Sequence, residues 1–337
     1  MNYPAGILSP EEKLVFALCR LEFDDIIKND IRELTAEISD WNRFVHLVTG
    51  HGITALVARN IHHLDIDDRI PVESLKLLDG GRLQSMIRNA WLASRWKEVN
   101  TILSEAGIRH LLLKGMALEH SVYGSKGLRQ MNDVDILVKK DEILKAWLLL
   151  QSHGFISDMI KSPLHRKIIT ETGKHMPTLR KDGFPVELHH RLFMSSDRNK
   201  LLDKAIDNAV EINIEGSPAF IPGNDIHLEF LKSHFEDHSS VGNIQLRLWL
   251  DLELLSPGNA PAFTAGMIGN PNPGSKPGQR KENFRKRFYS MPISVRLPYL
   301  MGDIFPSLKW MKKRYNCGTL NAMMHYPVRI AKIQWIF

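Results

Sequence analysis

The chain has 337 residues, 43% hydrophobic and 24% charged. That is an ordinary balance for a folded protein and enough length for about two domains, which excludes a wholly disordered chain. No run nears the ~18 apolar residues needed to cross a bilayer. Two cysteines, Cys19 and Cys317, exclude a cysteine-rich zinc site and argue against a disulfide-stapled fold. With no basic segment followed by a long apolar one at the start, the expected compartment is the cytoplasm. The net charge is +6, unevenly spread. Lys276–Arg314 holds eleven Lys or Arg against Glu282 and Asp303, so it carries +9 and the remainder is slightly negative. Such a patch attracts polyanions, or is simply a solvated helix face.

Ser9-Pro10-Glu11-Glu12 predicts a helix start: Ser9 caps, Pro10 suits the first turn and Glu12 completes a capping box. Val15, Leu18, Cys19 and Phe23 then recur at helical spacing. Further helical patterns cover Trp41–Val48, Thr54–His63 and a stretch from Ser74 to Ala106, with Gly80-Gly81 expected to interrupt the last. The pattern changes at Gly107. Ile108–Leu113 predicts a buried strand, Met116–Val122 a short helix, and Asp133–Val138 a second strand. Asp141–His153 predicts a helix that Gly154 ends. His175–Arg180 and Phe184–His190 flank Lys181-Asp182-Gly183, a hairpin signal. Helices are expected again after Asp197, most clearly over Asp225–His238 and Asn243–Leu255. Residues 257–278 contain five Pro and five Gly, which predicts a long loop. The expected organisation is a helical region over 1–106, a mixed α/β core over 107–215 and a helical region over 216–337.

Chemistry concentrates in the core. Residues two apart on a strand share a face, so Asp133 and Asp135 are expected side by side, with Val134 and Ile136 facing inward. Two adjacent carboxylates repel, and a cation between them removes the repulsion; Mg²⁺ suits this because it takes carboxylate and phosphate oxygens together. Upstream, Lys114-Gly115 stands between a strand and a helix, where a glycine admits close approach and a helix start offers N–H groups to an anion. Downstream, Val186-Glu187-Leu188 puts a third carboxylate on another strand. Three acids complete a site in which two cations clamp the attacking and leaving oxygens of an in-line displacement.

At these residues the chain resembles the nucleotidyltransferase superfamily that includes DNA polymerase beta and the aminoglycoside nucleotidyltransferases, and within it the bacterial group of uncharacterised nucleotidyltransferases. The shared elements are Leu113-Lys114-Gly115, Arg129, Asp133-Val134-Asp135-Ile136-Leu137-Val138, Gly154-Phe155, Glu187-Leu188-His189 and Leu246–Asp251 with its Arg247-x-x-x-Asp251. They span roughly residues 100–255. Met116 stands where the superfamily usually carries a second small residue. The resemblance implies an α+β fold: a small mixed sheet forming the nucleotidyltransferase core, flanked by helical N- and C-terminal regions. It implies that Asp133, Asp135 and Glu187 bind two Mg²⁺ ions, with Glu187 able to orient the acceptor hydroxyl. Gly115 would admit phosphate, Lys114 and Arg129 would neutralise it, and His189 shares the face of Glu187. The implied reaction moves a nucleoside monophosphate from an NTP to a hydroxyl on a small molecule, a saccharide or a protein.

Other signals have plainer readings. His175 lies on the partner strand of the hairpin. His234 and His238 are spaced for a metal pair but lack a third ligand, and Arg247 and Asp251 are spaced for a helix salt bridge. Two alternatives stand beside the enzyme: a non-catalytic nucleotide-binding module on the same fold, and a nucleic-acid-binding protein using 276–314, which lacks a recognisable reading motif.

Overall fold

The computed structural model describes residues 4, 6–124, 126–193, 200–240, 244–270, 285, 288–289 and 291–331. The fold is mixed α/β, with a five-stranded sheet and a separate two-stranded one. The chain forms two compact units: Met1–Thr101 with His110–Asp135 and Lys204–Gly274, and Ile102–Arg109 with Ile136–Asp203 and Ser275–Phe337. No helix among the described residues is long and apolar enough to cross a membrane.

In the first unit, α1 (Pro10–Leu18) starts with the expected capping box: Ser9 Oγ accepts from the Glu12 amide at 3.3 Å, and Glu12 Oε2 accepts from the Ser9 amide at 3.0 Å. It packs against α2 (Asp25–Glu37), α3 (Trp41–Gly50) and α4 (Thr54–His63). Leu14, Leu18, Ile31, Phe44 and Ile61 are fully buried among these helices. Each contributes about 1.5–3 kcal/mol by leaving water. Asn60 Nδ2 donates to the carbonyls of Leu18 and Arg20 at 2.7 and 2.8 Å, tying the turn that follows α1 to α4.

Helix α5 runs unbroken from Val72 to Glu105, so Gly80-Gly81 does not interrupt it. A Cβ at Gly81 would lie 2.5 Å from Thr54 Cγ2; this glycine serves the close approach of α4 rather than a break. One face of α5 holds the loop that leads toward Asp133. Ser85 Oγ donates to the Gly127 carbonyl at 2.8 Å, Arg88 Nη2 to that of Asn132 at 2.6 Å and Asn89 Nδ2 to that of Arg129 at 2.9 Å. These three residues share a face because they are three and four apart.

Strand β1 (His110–Leu113) passes directly into α6 (Lys114–Ser121). Helices return after Asp197 with α9 (Lys200–Asp207), but a hairpin that the helical reading did not include follows, β6 (Val210–Ile214) and β7 (Ser217–Ile221), paired antiparallel. Its turn residues Glu215 and Gly216 have φ of +49° and +83°, the backbone that matches the twist of paired strands. Helices α10 (Asn224–Ser240) and α11 (Leu246–Leu255) pack together. The Pro/Gly-rich stretch is corrected in part: Ala265–Gly269 forms a short helix, α12, with Ile268 fully buried and its carbonyl 2.9 Å from His51 Nε2. Burial of one apolar residue and an anchored carbonyl hold a turn of helix that composition alone disfavours. Residues 271–278 of that stretch lie outside the described residues.

The five-stranded sheet has the order β1-β2-β5-β4-β3. Strand β2 is Val134–Val138, so Asp133 stands one residue before it rather than within it. In the second unit, α7 (Ile143–Ser152) leads to Gly154, at φ +89°, and β3 (Ile156–Ser157). Strands β4 (Leu179–Lys181) and β5 (Phe184–His189) form the expected hairpin, with Asp182 and Gly183 at φ of +51° and +79°. Between them and β3 lies α8 (Pro163–Thr172), which packs against α13 (Ile293–Ile304) around Ile168, Val295 and Tyr299. Helices α14 (Leu308–Tyr315) and α15 (Thr319–Ala331) pair with each other. Most of the basic residues from Lys276 to Lys286 lie outside the described residues.

Candidate active site

Strand β2 is buried along its whole length, and Asp135 is its one charged residue. A buried carboxylate requires a partner. Lys114 Nζ supplies it at 2.7 Å from Oδ1. Lys114 occupies the junction of β1 and α6 at φ +48°, a left-handed conformation that costs a side-chain-bearing residue about 1 kcal/mol or more. Asp133 is half-buried beside the start of β2.

Arg129, expected near phosphate, is almost wholly buried with its guanidinium turned to Asp251: Nε lies 2.8 Å from Oδ1 and Nη2 2.6 Å from Oδ2. The Tyr123 hydroxyl donates to the same Oδ1 at 2.9 Å. Burial alone would pull the Arg129 guanidinium down, but the Asp251 charge and hydrogen bonds more than offset this and hold it above its usual value. Burial, with the Asp251 charge, pushes Tyr123 well above the usual phenol. The expected Arg247–Asp251 helix bridge is therefore replaced. Arg247 donates to the Gln130 carbonyl and, at 2.9 Å, to Gln245 Oε1, and burial pulls it down to about 10.

Gly115 sits under this pair. A Cβ there would lie 2.7 Å from Arg129 Nη1 and 2.9 Å from Met131 Cγ, so protein atoms already claim the space that its missing side chain leaves. Glu119, on α6, accepts the amides of Gly127 and Arg129, the latter at 2.9 Å. His234, on α10, feels the charges of Lys114 and Asp135; burial first, then Lys114, pulls it down to about 2, so the ring is neutral. Its ring meets that of His238 edge-on at 4.4 Å.

On β5, Val186 and Leu188 are buried and Glu187 points to the other face, accepting from Thr178 Oγ1 at 3.0 Å. His189 Nε2 and His175 Nδ1 lie 3.8 and 4.0 Å from Glu187 Oε2. An antiparallel bridge pairs His175 with His189 and brings their ring centroids to 5.2 Å. Strands β2 and β5 are neighbours in the sheet. Asp135, Glu187 and His189 each offer one ligand atom, and these atoms lie within 4.8 Å of one another, forming a possible acidic metal-binding triad. Among the described residues, Asp133 is not part of that group.

Asp251, Tyr123 and Glu119 carry no signal in local spacing, because their partners are 122, 128 and 8–10 residues away. A buried charge in the helical Arg-x-x-x-Asp element was the available clue, and it pointed to the wrong arginine.

A β1–α6 junction at Lys114-Gly115, an Asp-bearing interior strand and its Glu-bearing neighbour at the centre of the sheet define an α+β nucleotidyltransferase fold. The chain belongs to the family described as uncharacterised nucleotidyltransferase, whose model matches residues 37–266. Membership makes it a transferase by class and implies an NTP substrate. Searches of curated proteins and of solved structures return no match.

Proposed function

We propose that the chain transfers a nucleoside monophosphate from an NTP to a hydroxyl acceptor with the help of divalent cations. The observation that carries this reading is the meeting of Asp135, Glu187 and His189 in a chain of this family. The donor set suits a divalent ion: carboxylates favour magnesium or manganese, and the imidazole extends the choice toward manganese or zinc. When bound, such an ion stabilises charge on phosphate oxygens and orients them.

The protein's own groups do the rest. Asp135 and Glu187 hold the ion, His189 closes the set, and Asp133, just before β2, holds a second ion. Lys114, already on Asp135, neutralises charge as phosphate enters. Gly115 and Arg129 act as a packed floor beneath Lys114, fixed by Asp251. The acceptor oxygen bonds to the α-phosphorus, the bond from that phosphorus to the bridging oxygen breaks, and pyrophosphate leaves. The hydroxyl proton passes to Glu187.

Incubation with α-labelled NTPs, Mg²⁺ or Mn²⁺ and a cell extract is expected to label an acceptor. Asp135→Asn and Glu187→Gln should each lower transfer by about 100-fold or more, the scale seen when a preorganised charge is removed from a transition state. Unchanged transfer in both variants would overturn the mechanism. Metal-dependent NTP binding without any transfer would favour the non-catalytic module.

A further inference from the structure

Helix α15 is turned inside out relative to an ordinary surface helix. Its polar side chains face the protein. Arg329 Nη2 donates to the Asp303 carbonyl at 2.7 Å, the Tyr326 hydroxyl donates to the Pro306 carbonyl at 2.6 Å, and the His325 ring stacks on that of Tyr315 at 3.8 Å. With the buried Ala322 these residues recur three and four apart, so they form one face. The opposite side carries Leu320, Met323, Met324 and Val328, with Leu320 79% and Met324 75% exposed. A surface helix normally places its apolar stripe toward the core and its charges in water.

Helix α13 packs against α15 and extends the apolar surface. Ile293, Leu297 and Met301 are exposed at intervals of one turn, and the Phe305 ring that follows lies 6.3 Å from that of Tyr326. Single exposed apolar residues need no explanation, but a contiguous set marks a surface that something covers. Positive charge stands beside it. Lys309, Lys312, Lys313 and Arg314 are exposed on α14, which pairs with α15 and joins it through Asn316-Cys317-Gly318. Residues 304–337 contain six Lys or Arg and no Asp or Glu. Asp158, which shares a hollow with Lys313 and Arg314, is paired with Arg180 at 3.5 Å.

We propose that this surface docks on an anionic lipid leaflet, with Leu320 and Met324 entering the boundary between headgroups and acyl chains and the α14 lysines meeting headgroup phosphates. Apolar side chains flanked by Lys and Arg are what an interfacial helix presents to such a surface. A protein interface carries about one hydrogen bond per 100–200 Å². Leu320, Met323, Met324 and Val328 offer no hydroxyl, amide or charge for one, so lipid suits them better. Docking of this kind is independent of nucleotidyl transfer, because it is read without nucleotide or metal.

The test is cosedimentation of the full chain with vesicles of phosphatidylcholine, alone or with about one-third phosphatidylglycerol. The chain should pellet with the anionic vesicles and stay in solution with the neutral ones, and added salt should weaken the contact by screening the lysines. Lys312→Ala and Lys313→Ala should each weaken it about 5-fold. Leu320→Ser/Met324→Ser should weaken it about 10-fold or more and leave the melting temperature unchanged, since both side chains already stand in water. No binding to anionic vesicles, equal binding to neutral ones, or full binding by the serine variant overturns the proposal. So does a lowered melting temperature in that variant, which would show that the face is covered within the chain. A wild-type dimer that the serine variant dissolves would assign the face to a second copy, and salt-sensitive RNA binding by a chain that ignores vesicles would assign the lysines to nucleic acid; either result also overturns lipid docking.

Discussion

Asp251 is 1% exposed and takes both ends of a fork from Arg129 as well as the Tyr123 hydroxyl. Two buried charges hold each other, and removing one leaves the other without compensation. Asp251→Asn is therefore expected to cost about 3–5 kcal/mol in urea unfolding. The double variant Arg129→Met/Asp251→Leu should cost less than Asp251→Asn alone, because no stranded charge remains. A single variant within about 0.5 kcal/mol of wild type, the range of ordinary surface changes, would show that the pair does not hold the Arg129 loop to α11. The residue scale also shows how far spacing can be trusted. Asp135 and Glu187 were legible as carboxylates set between apolar residues on strands, and His189 as sharing the face of Glu187, but the same alternation also put Asp133 beside Asp135, and Asp133 is not part of the group they form. The partner of Asp251 was not legible. Helical arithmetic proposes only residues within one helix, and the true partner lies 122 positions earlier.

At the scale of elements, glycines separate strain from crowding. Gly127 has φ +71°, and a Cβ there would lie 2.7 Å from Met86 Cα, a backbone atom of α5 that cannot step aside. Gly216 has φ +83° with open space around it. Gly216→Ala should cost about 1 kcal/mol from backbone conformation alone. Gly127→Ala should add about 1–3 kcal/mol of overpacking. Thermal melts of the two variants side by side check the difference, and equal losses would mean the loop simply shifts off α5. A pH-dependent link joins α8 to α13. Asp303 Oδ1 lies 3.1 Å from His165 Nε2 and is paired with Lys161 Nζ. Burial would raise the Asp303 carboxyl, but the His165 and Lys161 hydrogen bonds outweigh it and lower the pKa below its ordinary value. Burial pulls Lys161 down even so. A carboxyl lowered on folding stabilises the folded state fully above its unfolded pKa of about 4, and that contribution is lost as pH falls through the folded value. The stability gap between wild type and Asp303→Asn should be constant near neutrality and shrink below about pH 4. A gap that does not change with pH would remove the ionised Asp303 from the link.

For the molecule as a whole, a resident cation should appear as stability. A ligand that binds only the folded chain stabilises it by about 2.7 kcal/mol at one hundred times its Kd. Mn²⁺ or Mg²⁺ is expected to raise the melting temperature of the wild type, and to leave Asp135→Asn and Glu187→Gln unmoved. An equal rise in the variants would place the ion elsewhere. The sequence by itself determined the periodic parts of this protein: the capped first helix, the buried strands around Lys114 and Asp135, and the Asp182-Gly183 hairpin. Each of these follows from local sterics or from apolar periodicity, which short stretches of chain carry complete. The tertiary structure alone decided that α5 runs through two glycines, that Ala265–Gly269 is helical, that a second hairpin closes at Glu215-Gly216, and that Arg129 belongs to Asp251. In each case the deciding energy comes from close packing or buried charge between segments distant in sequence, and no local pattern encodes that.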